Sequence, residues 1–573
     1  AGTIEVNNMT LDGFGAIVTV NTLKIRGTLQ LDNGDFNANS KEVQLVSNAS
    51  GTARLGPVAP TASYTDRLRI ERYIPAGVTD WRLLCSPVAN KTVADWTDDF
   101  YTAGFPGSAY PPFTVNGNPW PSVRMYDETN PGASSTAGLI GVASTAEPLT
   151  VGKGFAAWSG TTLNTTTAFT IDVRGFPTVA STPFSIPMSY TNTGNPTVDG
   201  LNLVGNPLPS PIDFSALNLT NVDNGYYIYD PGSGTNAAWD ETSSIGTGGA
   251  NGNIQSSQGF WLKANAAAPS VTLDESAKVL EPINGGIFSD EQDRRPMVRL
   301  LLSGNGSDYT DEAVVHFITG APAFGAPDMV KLAFSNDNAA HISTQASTGE
   351  DLVINAFGEL GASVDVPVNV RVPSSGTYTI GFQQVEAITG RACVTFEDLL
   401  TNTVLSVTPD ATYTFDIDAT APTEPARFVL HIGSAVSATA SAANCAGAAD
   451  GAVVVTGPGA GVFDFTLTDA QGTSTQVLGQ NSASFQGLPA GVYALTVDGN
   501  TGCGALVSEV VVSAPGALEG VALAAPASCA DATDGTAEVM IMGGTAPYTV
   551  NWSNGSTGEQ VSDLSAGTYS AAI

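Results

Sequence analysis

The chain has 573 residues, of which 21 are basic and 54 acidic, so its formal net charge is −33 although only 13% of its residues are charged. A chain this acidic cannot neutralise phosphates, which argues against a nucleic-acid binder, and the low charged fraction argues against a coiled coil or helical bundle. With 42% hydrophobic residues, it can bury enough apolar surface to offset its chain entropy, which excludes a disordered protein.

The hydrophobic pattern predicts an all-β protein. Short runs rich in Thr and Val alternate apolar and polar residues, and clusters of Gly, Asn, Asp, Pro and Ser separate them. This pattern is typical of many short strands joined by frequent turns. No apolar run is long enough for a membrane-spanning helix. The first residues carry no secretion signal, so we expect any such signal to lie outside this sequence.

Residues 1–60 contain very short strand-like runs that are spaced by Asn, Asp and Gly turns, for example 4–6, 23–25 and 43–45. Such runs suit the rungs of a parallel β-solenoid, whose coils are each too thin to hold a core alone. We therefore predict a solenoid-like segment here, with further coils before it. An ordinary sandwich sheet is the alternative.

Residues 61–285 contain an internal sequence repeat. The matched segments are 81–87 with 201–207, 123–127 with 227–230, and 152–158 with 258–262. Their order is kept while a loop shortens, as in a duplicated β-module whose insertions fall in surface loops. We predict a first copy at 61–170 and a second copy at 171–285, which pack either as halves of one sandwich or as tandem domains. Chance similarity between short aromatic strands is the alternative.

Residues 286–434 form a third region with six strand-like segments. They are 312–317 (EAVVHF), 328–332 (DMVKL), 376–380 (GTYTI), 396–400 (FEDLL), 413–415 (YTF) and 427–430 (RFVL). Together they resemble the β-sandwich domain found near the ends of large secreted proteins of gliding bacteria that use type IX secretion. The resemblance implies a jelly-roll-like sandwich and indicates architecture rather than chemistry.

The C-terminal end contains a sequence repeat. Cys445 followed by Asp450 and Gly451 recurs as Cys529 followed by Asp534 and Gly535. The other repeated or characteristic segments are 488–493 (LPAGVY), 564–569 (LSAGTY), 543–550 (GGTAPYTV) and 552–555 (WSNG). The pattern resembles the SprB-type repeat, an Ig-like sandwich that occurs in tandem arrays on gliding adhesins. The resemblance implies one module at 435–515 and an incomplete one at 516–573.

The SprB resemblance also implies the cysteine pairing, because such a module opens with one cysteine and closes with another. It pairs Cys445 with Cys503 and leaves Cys529 to pair beyond the end of the sequence. Cys85 and Cys393 lie in apolar strand contexts. We predict that both are buried free thiols rather than partners in a bridge.

Residues that could carry catalysis are few, and we predict that the chain is not an enzyme. His316, His341 and His431 are far apart in sequence, and the metalloprotease, serine-hydrolase, P-loop and dinucleotide-binding motifs do not occur. A carboxylate pair of the glycosidase kind depends on spatial proximity, so the sequence leaves that alternative open.

The sequence suggests two candidate binding sites. Carboxylates in the loops around Asp308, Asp311 and Glu312 could hold calcium, the only cofactor that the sequence suggests, although solvated surface carboxylates are the alternative. Trp120 and Trp239 lie beside loops rich in Gly, Asn and Pro. They are candidate glycan contacts, with core or loop anchors as the alternative.

These observations and resemblances lead to two functional hypotheses. In the first, the chain is a non-catalytic segment of a large secreted cell-surface protein, and acts as a stalk or filament-forming adhesin in gliding motility. Its expected partners are further modules of the same polypeptide, other copies of it, the secretion or outer-membrane anchoring machinery, and surface glycans. In the second, the chain is the glycan-binding region of a secreted hydrolase.

Overall fold

The structure is a computed structural model that describes most of the chain. The described residues are 2–130, 136–162, 165–195, 198–279, 295–304, 306–322, 325–332, 338–360, 363–389, 392–420, 425–433, 436–457, 462–499 and 506–573. Strands dominate, which confirms the all-β prediction. The described helices are short: helix α1 (Glu386–Thr389) and the 3₁₀ helices Val93–Trp96, Phe214–Ala216 and Glu275–Ala277. No helix among the described residues is both long and apolar enough to cross a membrane.

The N-terminal region is a parallel β-solenoid. Its strands β1 to β11 are Thr3–Val6, Met9–Asp12, Ala16–Ile17, Thr22–Ile25, Thr28–Asn37, Glu42–Leu45, Ser47–Asn48, Gly51–Thr52, Arg54–Val58, Ala62–Thr65 and Leu68–Ile74. Strands β1, β4, β6 and β11 stack in parallel, and β5 pairs in parallel with β2, β3, β9 and β10. Thr3 lies opposite Thr22, and Thr22 opposite Glu42, so a coil takes about 20 residues. Parallel pairing confirms the predicted solenoid, which extends to Ile74 and not only to residue 60.

The two copies of the duplicated module follow the solenoid. Strands β12 to β20 are Gly77–Val78, Asp80–Leu84, Thr114–Val115, Asn118–Pro119, Val123–Tyr126, Leu139–Gly141, Phe155–Ser159, Thr165–Thr166 and Phe169–Gly175. Strands β21 to β30 are Phe184–Ile186, Leu201–Gly205, Ile212–Asp213, Asn218–Thr220, Gly225–Asp230, Thr235–Asp240, Ile245–Gly246, Asn253–Ile254, Gly259–Lys263 and Ser270–Leu273. The main sheets have the orders β13-β18-β16-β17 and β22-β29-β25-β26-β27. The duplicated sequence segments therefore take equivalent places in the two sheets.

The two copies meet through matching backbone hydrogen bonds. The N–H of Cys85 donates to the carbonyl of Ser257 at 3.1 Å, and the N–H of Gly205 donates to the carbonyl of Gly152 at 2.9 Å. The segment match pairs Cys85 with Gly205, and aligning Gly154 with Gly259 pairs Gly152 with Ser257. Each copy therefore contributes one N–H donor and one carbonyl acceptor at equivalent positions, as expected for two units related by a two-fold axis. The copies therefore meet about a local two-fold axis, and residues of both lie in one hydrophobic core. That they form two halves of one sandwich stays a prediction.

The third region is a sheet that folds over on itself. Strands β31 to β41 are Met297–Gly304, Ser307–Phe317, Met329–Val330, His341–Gln345, Asp351–Phe357, Val364–Arg371, Gly376–Gln383, Val394–Asp398, Thr403–Ser406, Thr412–Ile417 and Phe428–Ile432. The strand order is β39-β38-β41-β36-β34-β35-β32-β31-β37-β40, with β33 attached to β35. Phe382 of β37 nevertheless packs against Phe396 of β38, with ring centroids 5.1 Å apart. Opposite ends of the sheet therefore face each other across a buried core, which makes this region a sandwich.

Two smaller modules complete the chain. Strands β42 to β48 are Ser437–Ser441, Ala449–Thr456, Phe463–Thr468, Ser474–Gln480, Ser482–Pro489, Gly491–Gly499 and Leu506–Val512. They form sheets β42-β43-β46 and β45-β44-β47-β48, which enclose Val453, Phe465 and Leu495 as an Ig-like sandwich does. Strands β49 to β53 are Glu519–Ala525, Gly535–Met542, Asn551–Trp552, Gln560–Leu564 and Ala571–Ala572. Their core is small and contains Val539, Val550 and Trp552.

Candidate ligand-binding cleft

An open cleft of about 1240 Å³ lies between the second copy and the third region. One wall is the β26–β27 hairpin and the loop after it, and the other is formed by β31, β32 and the end of β37. The two walls rest on one hydrophobic core, whose members from the two sides include Tyr227, Trp261, Val314, Met329 and Ile354. Because this core is continuous, the walls are held in a fixed relation to each other.

Trp239 of β26 is fixed against the hairpin on its own side of the cleft. It pairs with Gly246 of β27, where a Cβ would lie 3.0 Å from the indole Cε3. A Cβ on Gly252 would lie 3.1 Å from Cζ2, so both glycines leave the room that the ring needs. The indole Nε1–H donates to Glu241 at 2.8 Å. Trp239 is only partly buried and lines the cleft, so the structure places this predicted glycan contact in a cavity.

Arg299 and Glu312 form an ion pair at the base of the cleft. The Arg299 Nη1 donates to Glu312 Oε1 at 2.8 Å, its Nε donates to Gln384 Oε1 at 2.9 Å, and its Nη2 donates to the carbonyl of Gly246 at 3.0 Å. Glu312 also accepts from the N–H of Gly248. The pair therefore joins β31 and β32 to the hairpin of the second copy, and its two charges compensate each other.

Asp311 serves as a buried anchor beneath the cleft. Lys331 Nζ lies 2.6 Å from both of its carboxylate oxygens, and the N–H of Ile342 donates to it at 2.8 Å. The Asp311 side chain is only 2% exposed. Nearby, burial and then the charges of Lys331 and Arg371 lower the pKa of His341 to about 3, so this imidazole is neutral at physiological pH. The group thus ties β32 to the residue that follows β33 and to β34.

These contacts correct the calcium prediction for Asp311 and Glu312. Neighbouring side chains of a strand point to opposite faces, and each of these two carboxylates is already paired with a cation, Lys331 or Arg299. The third predicted ligand, Asp308, has a side chain outside the described part. Within the described residues no group of three or more His, Cys, Asp or Glu side chains could hold a metal ion.

The rest of the cleft lining is mainly neutral and polar. Apart from the carboxylate of Asp230, it consists of hydroxyl and amide side chains and a few apolar ones: Ser233, Thr235, Asn236, Ser244, Asn251, Thr310, Gln383, Gln384, Ile245, Met297 and Leu301. Arg295 also lines it, and its Nη2 donates to the carbonyl of Ser244 at 3.0 Å. Neutral donors and acceptors over an apolar base can bind an uncharged polar ligand.

The other predicted glycan contact, Trp120, lies in the first copy and outside the cleft. Its ring centroid is 5.6 Å from that of Trp81 and 5.5 Å from that of Trp158. The Arg124 guanidinium lies over the Trp81 ring, 4.7 Å from its centroid. Trp120 thus belongs to a packed aromatic cluster, which is the arrangement expected for an anchor.

The histidines lie in three separate surroundings. His316 is buried in β32, and His341 lies beside Asp311. His431 is bound on one side by Asp365 at 2.8 Å and on the other by Glu397 at 2.9 Å. Burial opposes protonation of His431, but hydrogen bonds with the two carboxylates outweigh it and raise the pKa. This last histidine crosslinks neighbouring strands of the third region.

The cysteines differ from the predictions at two positions. Cys85 is buried and free, as predicted, and burial raises the pKa of its thiol. Cys393 is disulfide-bonded, so the prediction of a free thiol there was wrong. Cys445 is free and exposed in the turn between β42 and β43, so it does not form the bridge that the SprB resemblance implied. Its expected partner, Cys503, lies outside the described residues, and Cys529 is free and exposed.

Sequence patterns gave only part of this site. Trp239 and Glu312 were singled out for different reasons, and the fold brings them to one cleft. Arg299, Asn236 and Gln383 were missed, because polar residues that alternate along a strand look the same whether they face a cleft or bulk solvent. Only the contact between two distant segments shows which of those faces lines a cavity.

The fold therefore defines a multi-domain all-β protein whose open cleft lies on a core shared by two β units. Residues 67–432 match the family model described as Domain of unknown function (DUF8693), so the chain belongs to this family. The matched range contains both copies, the third region and the whole cleft.

Further comparisons concern the ends of the chain and its overall shape. Residues 524–557 match the SprB repeat model, which confirms the resemblance for the last module; for the module at 435–515 it stays a prediction. No curated protein matches the sequence. One solved structure, titled "Biofilm associated protein - BSP domain", is 11% identical over 69% of this chain and 94% of its own, with a TM-score of 0.10. A likeness this low supports no conclusion about fold or function.

Proposed function

We propose that the chain is a non-catalytic adhesive segment of a large secreted cell-surface protein. The observation that carries the proposal is the open polar cleft in a unit joined by the same chain to a SprB repeat. A rigid cleft can hold a ligand, and modules in series can extend it away from an anchoring point. The net charge of −33 suits this role, since it keeps a long exposed array soluble.

The finer parts of the proposal concern assembly and export. The solenoid, the DUF8693 unit and the Ig-like modules follow one another as a stalk would require, and β-modules offer edge strands through which copies could join head to tail. We place the protein outside the cell, exported by type IX secretion, held by the outer-membrane anchoring machinery, and active in gliding or attachment. The support for export and gliding is the SprB repeat.

Attachment of coated beads tests the adhesive function. Fluorescent beads that carry the full chain should bind to cells or to polysaccharide-coated surfaces more than beads carrying an unrelated acidic protein of similar size. Equal binding of both beads would contradict adhesion. Electron microscopy of the purified protein and of producing cells tests the filament role, because a filament-forming adhesin should appear as threads with an axial repeat.

The cleft also suits the second hypothesis, a glycan-binding region attached to a hydrolase. The two hypotheses make different predictions about the gene, since a hydrolase would carry a catalytic domain on the same polypeptide. A full-length sequence with such a domain would favour the hydrolase, and a full-length sequence of β-modules alone would favour the adhesin.

A further inference from the structure

We propose that the cleft between the β26–β27 hairpin and the third region binds a neutral oligosaccharide through Trp239. The inference rests on the proposed adhesive function and names the ligand class for its cleft. It draws on three properties of the cleft: its size, the fixed indole and the balance of its charges.

The size favours a ligand of several sugar units. At about 1240 Å³ and open to solvent, the cleft is larger than the roughly 300–1,000 Å³ of ordinary small-molecule pockets. Its polar groups lie on both walls, with Asn236 on one side and Gln383 on the other. Amide side chains both donate and accept hydrogen bonds, as sugar hydroxyls do. An extended chain of sugars could therefore satisfy groups on both walls at once.

The indole of Trp239 supplies a surface for the apolar face of a sugar ring. Its orientation is set before any ligand arrives, because Gly246 and Gly252 make room for it and Glu241 holds its N–H. A ring that is already ordered loses little conformational entropy when a ligand stacks on it. With the Nε1–H of Trp239 occupied by Glu241, the exposed part of the ring offers an apolar contact.

The charges favour an uncharged ligand over an anionic one. Arg299 and Glu312 compensate each other, and Lys331 compensates Asp311. The other two charged residues of the lining, Arg295 and Asp230, carry opposite charges. The chain as a whole carries −33, so an acidic glycan would approach against a repulsive field. The cleft thus provides hydrogen bonds without a net positive charge that could attract sulfates or carboxylates.

Binding of the full chain to an array of oligosaccharides tests the inference. The array carries neutral oligosaccharides of hexoses and N-acetylhexosamines, together with sialylated and sulfated ones, and the best neutral ligand is then titrated by calorimetry. Trp239→Ala should weaken that binding at least tenfold, and Trp239→Phe should restore part of it because a flat ring remains. Gln383→Ala, an exposed change that should leave folding intact, is expected to weaken it several-fold.

Trp120→Ala is the matched control, since Trp120 is also a partly buried tryptophan but lies outside the cleft. The inference fails if no neutral glycan binds, if only acidic glycans bind, or if Trp120→Ala weakens binding as much as Trp239→Ala. It also fails if the Trp239 and Gln383 variants both bind like the parent. Beads that still adhere to cells while the array shows no neutral glycan would overturn this inference and leave the adhesive function standing.

Discussion

The two copies of the duplicated module have the same strand order but different neighbours. The main sheet of the first copy carries the Trp81, Trp120 and Trp158 cluster at one side. The hairpin of the second copy packs next to the third region, and the cleft with Trp239 forms there. A duplicated fold therefore does not imply a duplicated cleft, because the cleft forms only where another region packs against the module.

The two copies also differ at the point where they meet. At equivalent positions the first copy has Cys85 and the second has Gly205. A Cβ on Gly205 would lie 2.2 Å from the Cβ of Cys85 and 2.7 Å from its Sγ. The space at this contact holds only one of the two side chains. When one copy has a cysteine at this position, the other copy must have a glycine.

The largest expected effect comes from breaking the ion pair under the cleft. Lys331→Met should leave the buried carboxylate of Asp311 without its cation and cost about 3–5 kcal/mol of unfolding free energy. Urea unfolding followed by tryptophan fluorescence measures it. The control is Lys91→Met in the first copy, where Lys91 pairs with the more exposed Asp95 and the loss should stay below about 1 kcal/mol. Equal losses in the two variants would show that the third region does not depend on this buried ion pair.

The second-largest expected effect on stability comes from changing the contact between the two copies. Gly205→Ala should cost about 1–3 kcal/mol, because the added methyl group overlaps Cys85. Combining it with Cys85→Gly should recover most of that loss, since the space then becomes available from the other side. A double-mutant cycle measured by urea unfolding gives the coupling between the two positions. Additive losses would rule out the one-side-chain explanation of the contact.

The aromatic cluster of the first copy should give a smaller effect. Arg124→Ala removes the guanidinium that lies 4.7 Å from the Trp81 ring centroid and should cost about 0.5–1 kcal/mol. Near-ultraviolet circular dichroism should change as well, because the tryptophan rings lose a packing neighbour. Glycan binding in the cleft should stay at the parental level. A loss of that binding would mean that the two copies act as one site.

The smallest expected effect is a pH dependence at the junction of the second copy and the third region. Burial raises the pKa of Asp328 to about 6, against hydrogen bonds from Ala356 and Gly325 that lower it, and nearby Asp240 raises it further. Between its unfolded pKa near 4 and this value the folded state binds more protons, so stability falls as pH rises. Because solvent partly screens Asp328, we expect the loss of unfolding free energy over this pH range to be about 1 kcal/mol at most.

Asp328→Asn tests that pH dependence, since the amide does not ionise. Thermal unfolding of the parent should weaken from pH 4 to pH 7 relative to the Asn variant, and the two should follow the same course below pH 4. Parallel curves across the whole range would mean that ionisation of Asp328 has no part in holding the second copy to the third region.

Local features of the chain could be predicted where the pattern itself limits the structure. Short runs of Thr and Val with turn residues between them fit strands alone, and the spacing of about 20 residues between residues 3, 22 and 42 corresponds to one coil of the solenoid. The similarity between residues 81–87 and 201–207 correctly predicted that β13 and β22 are equivalent strands. The repeat at the C-terminal end was visible for the same reason, since repeated chemistry leaves a repeated pattern.

Predictions that depended on partners across the fold were less successful. The acidic pair Asp311 and Glu312 suggested calcium, but Lys331 and Arg299 reach them from elsewhere in the fold. Cys393 was expected to be free, yet it is disulfide-bonded. In each case the sequence indicated a residue with a special role, but it did not indicate which residue would contact it. Separation along the chain does not determine which residues lie close together in the fold.

The sequence by itself determined that this protein is an acidic string of β-modules with a solenoid, a duplicated module and a SprB repeat, because strand periodicity, turns and repeats are local properties. Only the tertiary structure decided where a ligand could bind. The cleft exists because the hairpin with Trp239 and the strands with Arg299 and Glu312 rest on a shared core. That core joins residues more than a hundred positions apart, and long-range packing of this kind leaves no period in the sequence.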